Sequence, residues 1–182
     1  MSRRRSDAEC QFAEITLEIG LLRELTESDL DAVQSLYERA SDYFVLHEDR
    51  NPAATEARDE WEALPSGTPR SHKHVIGLFG PDLVGVAEVV RDWPRAGTWN
   101  IGLLLLDPAT RRHRAGTYVM GAIDSWAARS GADTLRITVI SANSGALDFW
   151  QRLGFTRVPI QPKPDSAHAT VIALERPVTT QV

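Results

Sequence analysis

One stretch near the middle of the chain, Leu103 to Ala128, constrains the fold more than any other. It opens with four consecutive leucines, a run that is too short to span a membrane and is typical of a strand buried on both faces. Asp107 and Pro108 end this strand, because proline cannot donate a hydrogen bond to a ladder. After a basic loop, apolar side chains recur at the spacing of one helix face: Val119, Ile123, Trp126 and Ala127. The stretch therefore predicts a strand, a turn and a helix.

The turn between this strand and helix, Arg111 to Thr117, has the chemistry of an anion-binding site. The first N–H groups of a helix have no partner within the helix, and the helix dipole is positive at that end. Arginines at positions 111, 112 and 114 add positive charge at the same place. These features favour phosphate binding. A solvated basic turn is the alternative, since strand–turn–helix units are common.

A second motif, Asn143 to Phe155, follows a later predicted strand. In this order and spacing the two motifs resemble the acyl-CoA-binding core of the GNAT family of N-acetyltransferases. The resemblance extends over roughly Leu22 to Leu174 and is most specific from Gly85 to Phe155. It implies an α/β GNAT fold, with a mixed, mostly antiparallel sheet of six or seven strands and helices on both faces. It also implies transfer of an acetyl group from acetyl-CoA to the primary amine of a small molecule.

Length and composition limit the other possibilities. With 182 residues, we expect one acyltransferase domain over residues 15–182 after a mobile tail over residues 1–14. The net charge of −5 argues against a general nucleic-acid binder. No apolar stretch is long enough to cross a membrane or to follow the basic tail as a signal peptide. The single cysteine, Cys10, fits a reducing compartment, so a cytoplasmic location is expected.

Periodicity and turn residues predict the remaining elements. Thr26 is the expected N-cap of a helix over residues 27–40, with Asp29 in a capping-box position. Residues 41–51 read as a loop, and a second helix is expected from Pro52 to about Leu64. A short helix after Asn143 is expected to end at Gly154. The predicted strands are Leu21–Glu24, Lys73–Phe79, Leu83–Arg91, Thr98–Leu106, Thr134–Ile140, Phe155–Pro159 and Thr170–Leu174, with a proline-rich loop, Ile160–His168, before the last.

The resemblance implies which residues hold the cofactor. The family motif Arg/Gln-x-x-Gly-x-Gly/Ala, whose backbone amides bind the pyrophosphate, corresponds to Arg111–Gly116, with Arg114 in place of the first glycine. The Arg114 side chain must turn outward to leave the site open, or its charge pairs with a phosphate. Asn143 matches the asparagine that contacts the pantetheine arm. The expected cofactor-binding residues are Leu104, Leu105, Leu106, Arg111, Arg112, His113, Arg114, Ala115, Gly116, Thr117, Asn143, Ala146 and Phe149.

Two catalytic groups of the family are absent from the corresponding positions. Trp150 stands where many members have a tyrosine that protonates the leaving thiolate, and an indole has no usable acidity. Asn100 stands where a glutamate base is often found. The nearest acid on the neighbouring strand is Glu88, which either faces the core side of the sheet with a raised pKa or is a solvated glutamate. We expect direct attack of the amine on the thioester, with Glu88 as the candidate base.

The acceptor site and two alternative functions complete the expectations. Tyr43, His47 and Glu48 lie in the predicted loop that lines the acceptor pocket of the resembling enzymes, although such a loop is often merely solvated.

The departures at Arg114, Trp150 and Asn100 leave open a ligand-binding or regulatory protein with an altered cofactor site. An enzyme that uses a different acyl donor is also open. No metal-binding pattern is present, so no metal is expected. The fold commonly dimerises, but no residue establishes a homodimer here.

Overall fold

The computed structural model describes residues 10–159 and 171–179. The strands are β1 Ile15–Leu17, β2 Gly20–Glu24, β3 Lys73–Phe79, β4 Leu83–Val90, β5 Thr98–Leu106, β6 Thr134–Ile140, β7 Thr156–Val158 and β8 Val171–Pro177. The helices are α1 Leu30–Arg39, α2 Ser41–Glu48, α3 Glu56–Glu62, α4 Ala115–Ser130 and α5 Ser144–Arg152. Short 3₁₀ turns precede α1 and β3. None of the described helices is long and apolar enough to span a membrane.

The strands form one sheet in the order β1-β2-β3-β4-β5-β6-β8-β7. Every neighbouring pair is antiparallel except β5 and β6, which α4 connects in parallel, as a strand–helix–strand unit requires. The expected count of six or seven strands was too low, because the segment before α1 folds back on itself. Leu17 pairs with Gly20, whose φ of +139° suits glycine, and a Cβ there would lie 2.0 Å from the Phe79 carbonyl oxygen.

The prediction of a mobile tail over residues 1–14 is wrong for its last residues, which pack against the core. Cys10 and Phe12 are buried in the core. The Phe12 ring packs edge-on against Trp126, with 5.3 Å between ring centroids, and the Trp126 indole N–H donates to the Cys10 carbonyl at 2.9 Å. Two apolar side chains in a charged segment form no periodic pattern, so the sequence did not reveal this packing. Residues 1–9 and the predicted loop Ile160–His168 lie outside the described residues.

Helices cover both faces of the sheet, as predicted. On one face α4 and α5 pack over a core centred on Trp126, which contacts the Trp99 ring at 4.5 Å. On the other face α1 and α3 bury Leu36, Tyr37 and Ala57 against β3, β4 and β5. Because both faces of the central strands are covered, they read as nearly continuous apolar runs.

The predicted loop over residues 41–51 is wrong, because α2 occupies most of it. Its four central residues are all apolar or aromatic, Tyr43 to Leu46, so no single face shows helical periodicity. Only Phe44 is buried, whereas Val45 and Leu46 are exposed. An ion pair helps to fix α2, because Arg111 holds Asp42 at its first turn. Nearby, Arg39 at the end of α1 holds Asp107 at 2.6 Å.

The parallel strands β5 and β6 separate part of the way along their length. Residues 98–101 of β5 pair with residues 134–137 of β6. Beyond them β5 continues to Leu106 and β6 to Ile140, but the two strands no longer pair with each other. On its other side β5 has a bulge, because Glu88 pairs with Leu103 and the next residue pairs with Ile101. Gly102 is thus the extra residue, and a bulge bends its strand. Within the described residues, one edge of residues 102–106 is left without a strand partner.

We expect replacement of Asp29 by asparagine to destabilise the protein at neutral pH. Arg23 donates two hydrogen bonds to the Asp29 carboxylate, at 2.7 and 3.0 Å, and the Thr26 N–H donates a third at 2.8 Å, which completes the predicted capping box. Chiefly because of Arg23, the pKa of Asp29 falls from 3.8 to about 2. The folded state therefore binds this proton less readily than the unfolded state. The stabilisation is present above pH 4 and disappears as the pH falls towards 2.

Urea unfolding of Asp29→Asn at pH 7 should show a loss of about 1 kcal/mol, since the pair is partly solvated. The difference from the wild type should shrink between pH 4 and pH 2. Asp82→Asn is the control, because the Asp82 carboxylate makes no ion pair within the described part of the chain. An Asp29→Asn deficit that does not vary with pH would contradict this account.

Candidate functional site

A cleft of about 690 Å³ opens where β5 separates from β6. Its walls come from four elements: α2, the end of β5, the turn into α4, and α5. The expected cofactor residues that line it are Leu104, Leu105, Leu106, Arg111, Arg112, Arg114, Ala115, Gly116, Thr117, Asn143, Ala146 and Phe149. The structure thus brings all but one of these residues to one cavity. The exception is His113, which is exposed and does not line the cleft.

The turn into α4 presents free backbone donors to the cleft. The first i→i−4 bond of α4 runs from the Tyr118 N–H to the Arg114 carbonyl at 3.0 Å, so the amides of residues 115–117 precede the helical hydrogen-bond ladder. Arg114 caps this helix with a φ of +60°, in the left-handed region that favours glycine. The arginine therefore adopts the backbone conformation that glycine takes most easily. Arg112 is also left-handed, with a φ of +68°.

Close packing of α5 on α4 shapes the same end of the cleft. A Cβ on Gly116 would lie 3.0 Å from the Cζ of Phe149, so a larger side chain there would displace that ring. Trp150 is buried between Phe149 and Phe155, with ring centroids 5.0 and 5.2 Å away. Trp150 therefore acts as a large apolar side chain that fills the space between α5 and the sheet.

Positive charge is concentrated at the outer end of the cleft. Arg112, Arg114 and Arg152 are exposed, line the cavity, and make no ion pair within residues 10–159 and 171–179. Arg111 differs, because its guanidinium donates to both oxygens of Asp42, one at 2.9 Å, and to the Leu106 carbonyl at 3.0 Å. The pKa of Asp42 is lowered by this arginine. Arg111 therefore joins α2 to the turn, and the other three arginines are available to an anion.

Asn143 lies at the start of α5 and faces α2 across the cleft. Its Oδ1 accepts the Ala146 N–H at 3.0 Å, which caps the helix. Its Nδ2 lies 3.5 Å from the Nε2 of His47, and the His47 ring stacks on Tyr43 with 4.0 Å between centroids. Burial lowers the pKa of His47. Of the three expected acceptor residues, only Tyr43 lines the cleft; His47 stacks on it, and Glu48 forms an ion pair with Arg50.

Glu88 lies outside the cleft, on the face of the sheet that α1 and α3 cover. Its side chain is 17% exposed and pairs with Lys73 at 2.7 Å. It borders a small hollow of about 10 Å³ together with Tyr37, Glu60 and Leu103. Burial raises the pKa of Glu88, while the nearby Lys73 opposes that shift. Of the two orientations left open by the sequence, the one that faces the core is observed.

The cleft and the hollow both border β5. Leu103 borders the hollow, and Leu104, Leu105 and Leu106, further along the same strand, line the cleft. Tyr43 lines the cleft, and its pKa is raised chiefly by burial, with a smaller effect of the Glu60 and Glu88 charges.

Several residues of the site were missed by reasoning from the sequence. Asp42 and Leu46 belong to the unexpected helix α2, and Arg152 lies on the face of α5 that lines the cleft, one turn after Phe149. The i, i+3 spacing of Phe149 and Arg152 could have identified the latter. Asn100 is buried at the expected base position, and an amide cannot accept a proton there. Among the described residues, no group of three or more potential metal ligands occurs.

Comparison with known proteins identifies the family. A sequence model described as the acetyltransferase (GNAT) family matches residues 29–155. Because this match spans more than half of the chain, the protein belongs to the GNAT family of acetyltransferases. No curated protein sequence gives a significant match.

Solved structures of similar fold cover most of the chain. An acetyltransferase from Thermus thermophilus superposes with a TM-score of 0.69 at 23% identity, over 86% of this chain and 96% of the other. The GNAT domain of S. lividans PAT gives 0.67 at 15% identity, over 91% and 96%. PaiA N-acetyltransferase from Thermoplasma acidophilum, in complex with coenzyme A, gives 0.65 at 14% identity, over 86% and 97%. These likenesses confirm the predicted GNAT fold.

We expect Arg111→Gln to loosen α2 without unfolding the protein. The Arg111–Asp42 pair is partly solvated, so its loss should cost no more than about 1 kcal/mol of global stability. Few buried contacts hold α2 otherwise, so its amides should exchange with deuterium several-fold faster. Hydrogen exchange measured by mass spectrometry checks this, with Arg129→Gln as the control on an exposed face of α4. Equal exchange of α2 in both variants would refute the assigned role of Arg111.

Proposed function

We propose that this chain transfers an acetyl group from acetyl-CoA to the primary amine of a small molecule. The observation that carries the proposal is the shape and charge of the cleft. One end is a helix N-terminus with free amides and three arginines that form no ion pair in the described part of the chain, and the other end is the apolar stretch Leu104–Leu106, where β5 no longer pairs with β6. Acetyl-CoA has the same polarity, with phosphates at one end and a neutral thioester at the other.

The cofactor would lie along the cleft with its phosphates at the turn. The amides of residues 115–117 would bind the pyrophosphate, and the guanidinium of Arg114 would pair with a phosphate oxygen. The pantetheine arm would follow the unpaired edge of Leu104–Leu106 and pass Asn143. This arm carries amide groups, so the free edge of β5 can hydrogen-bond with it as a further strand would. The acyl group would then enter the gap beyond Ile101.

The acceptor amine would approach from the side of β5 where Glu88 lies. Its nitrogen lone pair attacks the thioester carbon, a C–N bond forms, and the C–S bond breaks with its electron pair on sulfur. The proton released by the nitrogen passes to Glu88, directly or through a water, and then to the thiolate. Holding both reactants in this geometry removes much of the entropic barrier. Tyr43, which lines the cleft and stacks on His47, would contact the donor from the side of α2.

Calorimetric titration with acetyl-CoA and with free CoA tests the proposal directly. Micromolar affinity, about −8 kcal/mol, is expected for both ligands. A screen of primary amines, followed by release of free thiol, would then identify the acceptor class. Absence of binding at millimolar concentration would exclude the acetyltransferase proposal and favour a binding or regulatory protein. Tighter binding and faster turnover of a longer acyl-CoA would instead favour a different acyl donor.

We expect Arg114→Gly to weaken binding of CoA roughly 3- to 10-fold, because it removes one charged contact to phosphate. Glycine adopts a φ of +60° without strain, so the fold should be retained. Calorimetric titration of the variant with CoA checks this prediction. Arg129→Gln, which removes a positive charge outside the cleft, should bind as the wild type does. A sharp rise in affinity of Arg114→Gly would mean that the arginine obstructs the site.

A further inference from the structure

Lys73 is an almost completely buried lysine at the start of β3, with 1% of its side chain exposed. Its ammonium group donates to three oxygen atoms. Two are backbone carbonyls at the end of α3, those of Glu60 and of Ala63, the latter at 2.8 Å. The third is the Oε2 of Glu88 at 2.7 Å. All three ammonium protons are therefore used, and a buried lysine is tolerated only with such partners.

Register explains why Lys73 reaches this carboxylate. Lys73 pairs with Val90 and Val75 pairs with Glu88, so the two charged side chains are diagonal neighbours on one face of an antiparallel pair. Long side chains bridge that diagonal. The ion pair with Lys73 fixes the Oε2 atom of Glu88. The position of the other carboxylate oxygen, Oε1, then follows from the geometry of the side chain.

The free oxygen of Glu88 lies against the bulge in β5. A Cβ on Gly102 would be 2.7 Å from Oε1. Gly102 is exposed, and it is the first residue of β5 beyond the last one that pairs with β6. The unoccupied oxygen is therefore at the point where the two strands separate, and the absence of a side chain on Gly102 leaves room for it.

We propose that Lys73 is a positioning residue, which holds Glu88 as a carboxylate and directs its free oxygen to Gly102 at the separation of β5 and β6. This inference rests on the proposed function, in which an amine attacks an acyl group at that separation. The Glu88 Oε1 accepts the proton that the amine nitrogen loses as the C–N bond forms. The proton then passes to the thiolate that the broken C–S bond leaves behind. Lys73 keeps its own protons throughout.

Burial and the neighbouring charges shift the pKa of Glu88 in opposite directions. Burial raises the pKa of Glu88, and a buried carboxyl that stayed protonated could not accept a proton. Lys73, and more weakly Arg70, lower it again. The remaining groups that face Glu88 are the Glu60 carboxyl and the hydroxyls of Tyr37 and Tyr43, and the pKa values of both tyrosines are raised, so they stay neutral. Lys73 is the strongest opposing charge, so its removal should raise the pKa of Glu88 further.

The first test measures the Glu88 carboxyl directly by ¹³C NMR of glutamate-labelled protein, with the signal assigned by Glu88→Gln. In the wild type we expect Glu88 to be ionised at pH 7. Lys73→Gln, which retains hydrogen-bond donors for the α3 carbonyls but lacks the charge, should raise the pKa by at least about one unit. Lys73→Arg, the matched control, keeps the charge and should shift it far less. A wild-type Glu88 that is protonated at pH 7 would overturn the proposal even if neither Lys73 variant folds.

The second test follows acyl transfer against pH, with a primary amine found in the screen as the probe. The acidic limb of the rate profile should move to higher pH in Lys73→Gln, so that the variant loses most activity at low pH and approaches the wild-type rate at high pH. A purely structural lysine would instead lower the rate equally at every pH, which would refute the inference. Binding of acetyl-CoA should be unchanged in each variant, because Lys73 does not line the cleft. Failure of the wild type to bind acetyl-CoA would count against the proposed function itself.

Discussion

The separation of β5 from β6 is the constraint on which the other features of the site depend. Two parallel strands that paired along their whole length would close the sheet and leave no gap between its faces. Here pairing stops after Ile101, and a bulge at Gly102 bends the strand away. The unpaired edge of β5 needs a hydrogen-bonding partner, because an exposed strand edge otherwise tends to pair with strands of other molecules. An extended ligand with amide groups satisfies that edge, and the walls of the cleft restrict access to it.

Charge is unevenly distributed along β5. On the side of the cleft, unpaired arginines follow a helix N-terminus, where the dipole adds to their field. In the hollow, Glu60 and Glu88 lie beside Tyr37, and Lys73 pairs with Glu88. The positive charge of the turn and the carboxylates of the hollow therefore lie at different places along the same strand. The net charge of the chain, −5, shows nothing of this division, because it averages over the whole chain.

The sequence predicted the central elements well because each carries a local signal. The leucine run and the basic turn marked β5 and the start of α4, and the two motifs located most of the residues that line the cleft. The features that were missed depend on contacts between distant segments. Helix α2 has no periodic face and is linked to the turn through Asp42 and Arg111, which are far apart in sequence. Phe12 is buried only because Trp126 lies beneath it. The register that brings Lys73 to Glu88 cannot be read from either strand alone.

The ion pair between Lys73 and Glu88 is better explained by its effect on the position of the carboxylate than by a contribution to the stability of the fold. Removing two charges from water is costly, and a well-packed apolar pair of similar size is often as stable as a buried ion pair. An apolar pair at these positions would, however, leave two carbonyls at the end of α3 without their donor and place no acceptor at Gly102. The lysine binds the end of one helix and one oxygen of a carboxylate at once. A rigid arrangement of this kind holds the second oxygen at a defined point, which is what a proton acceptor at a narrow gap requires.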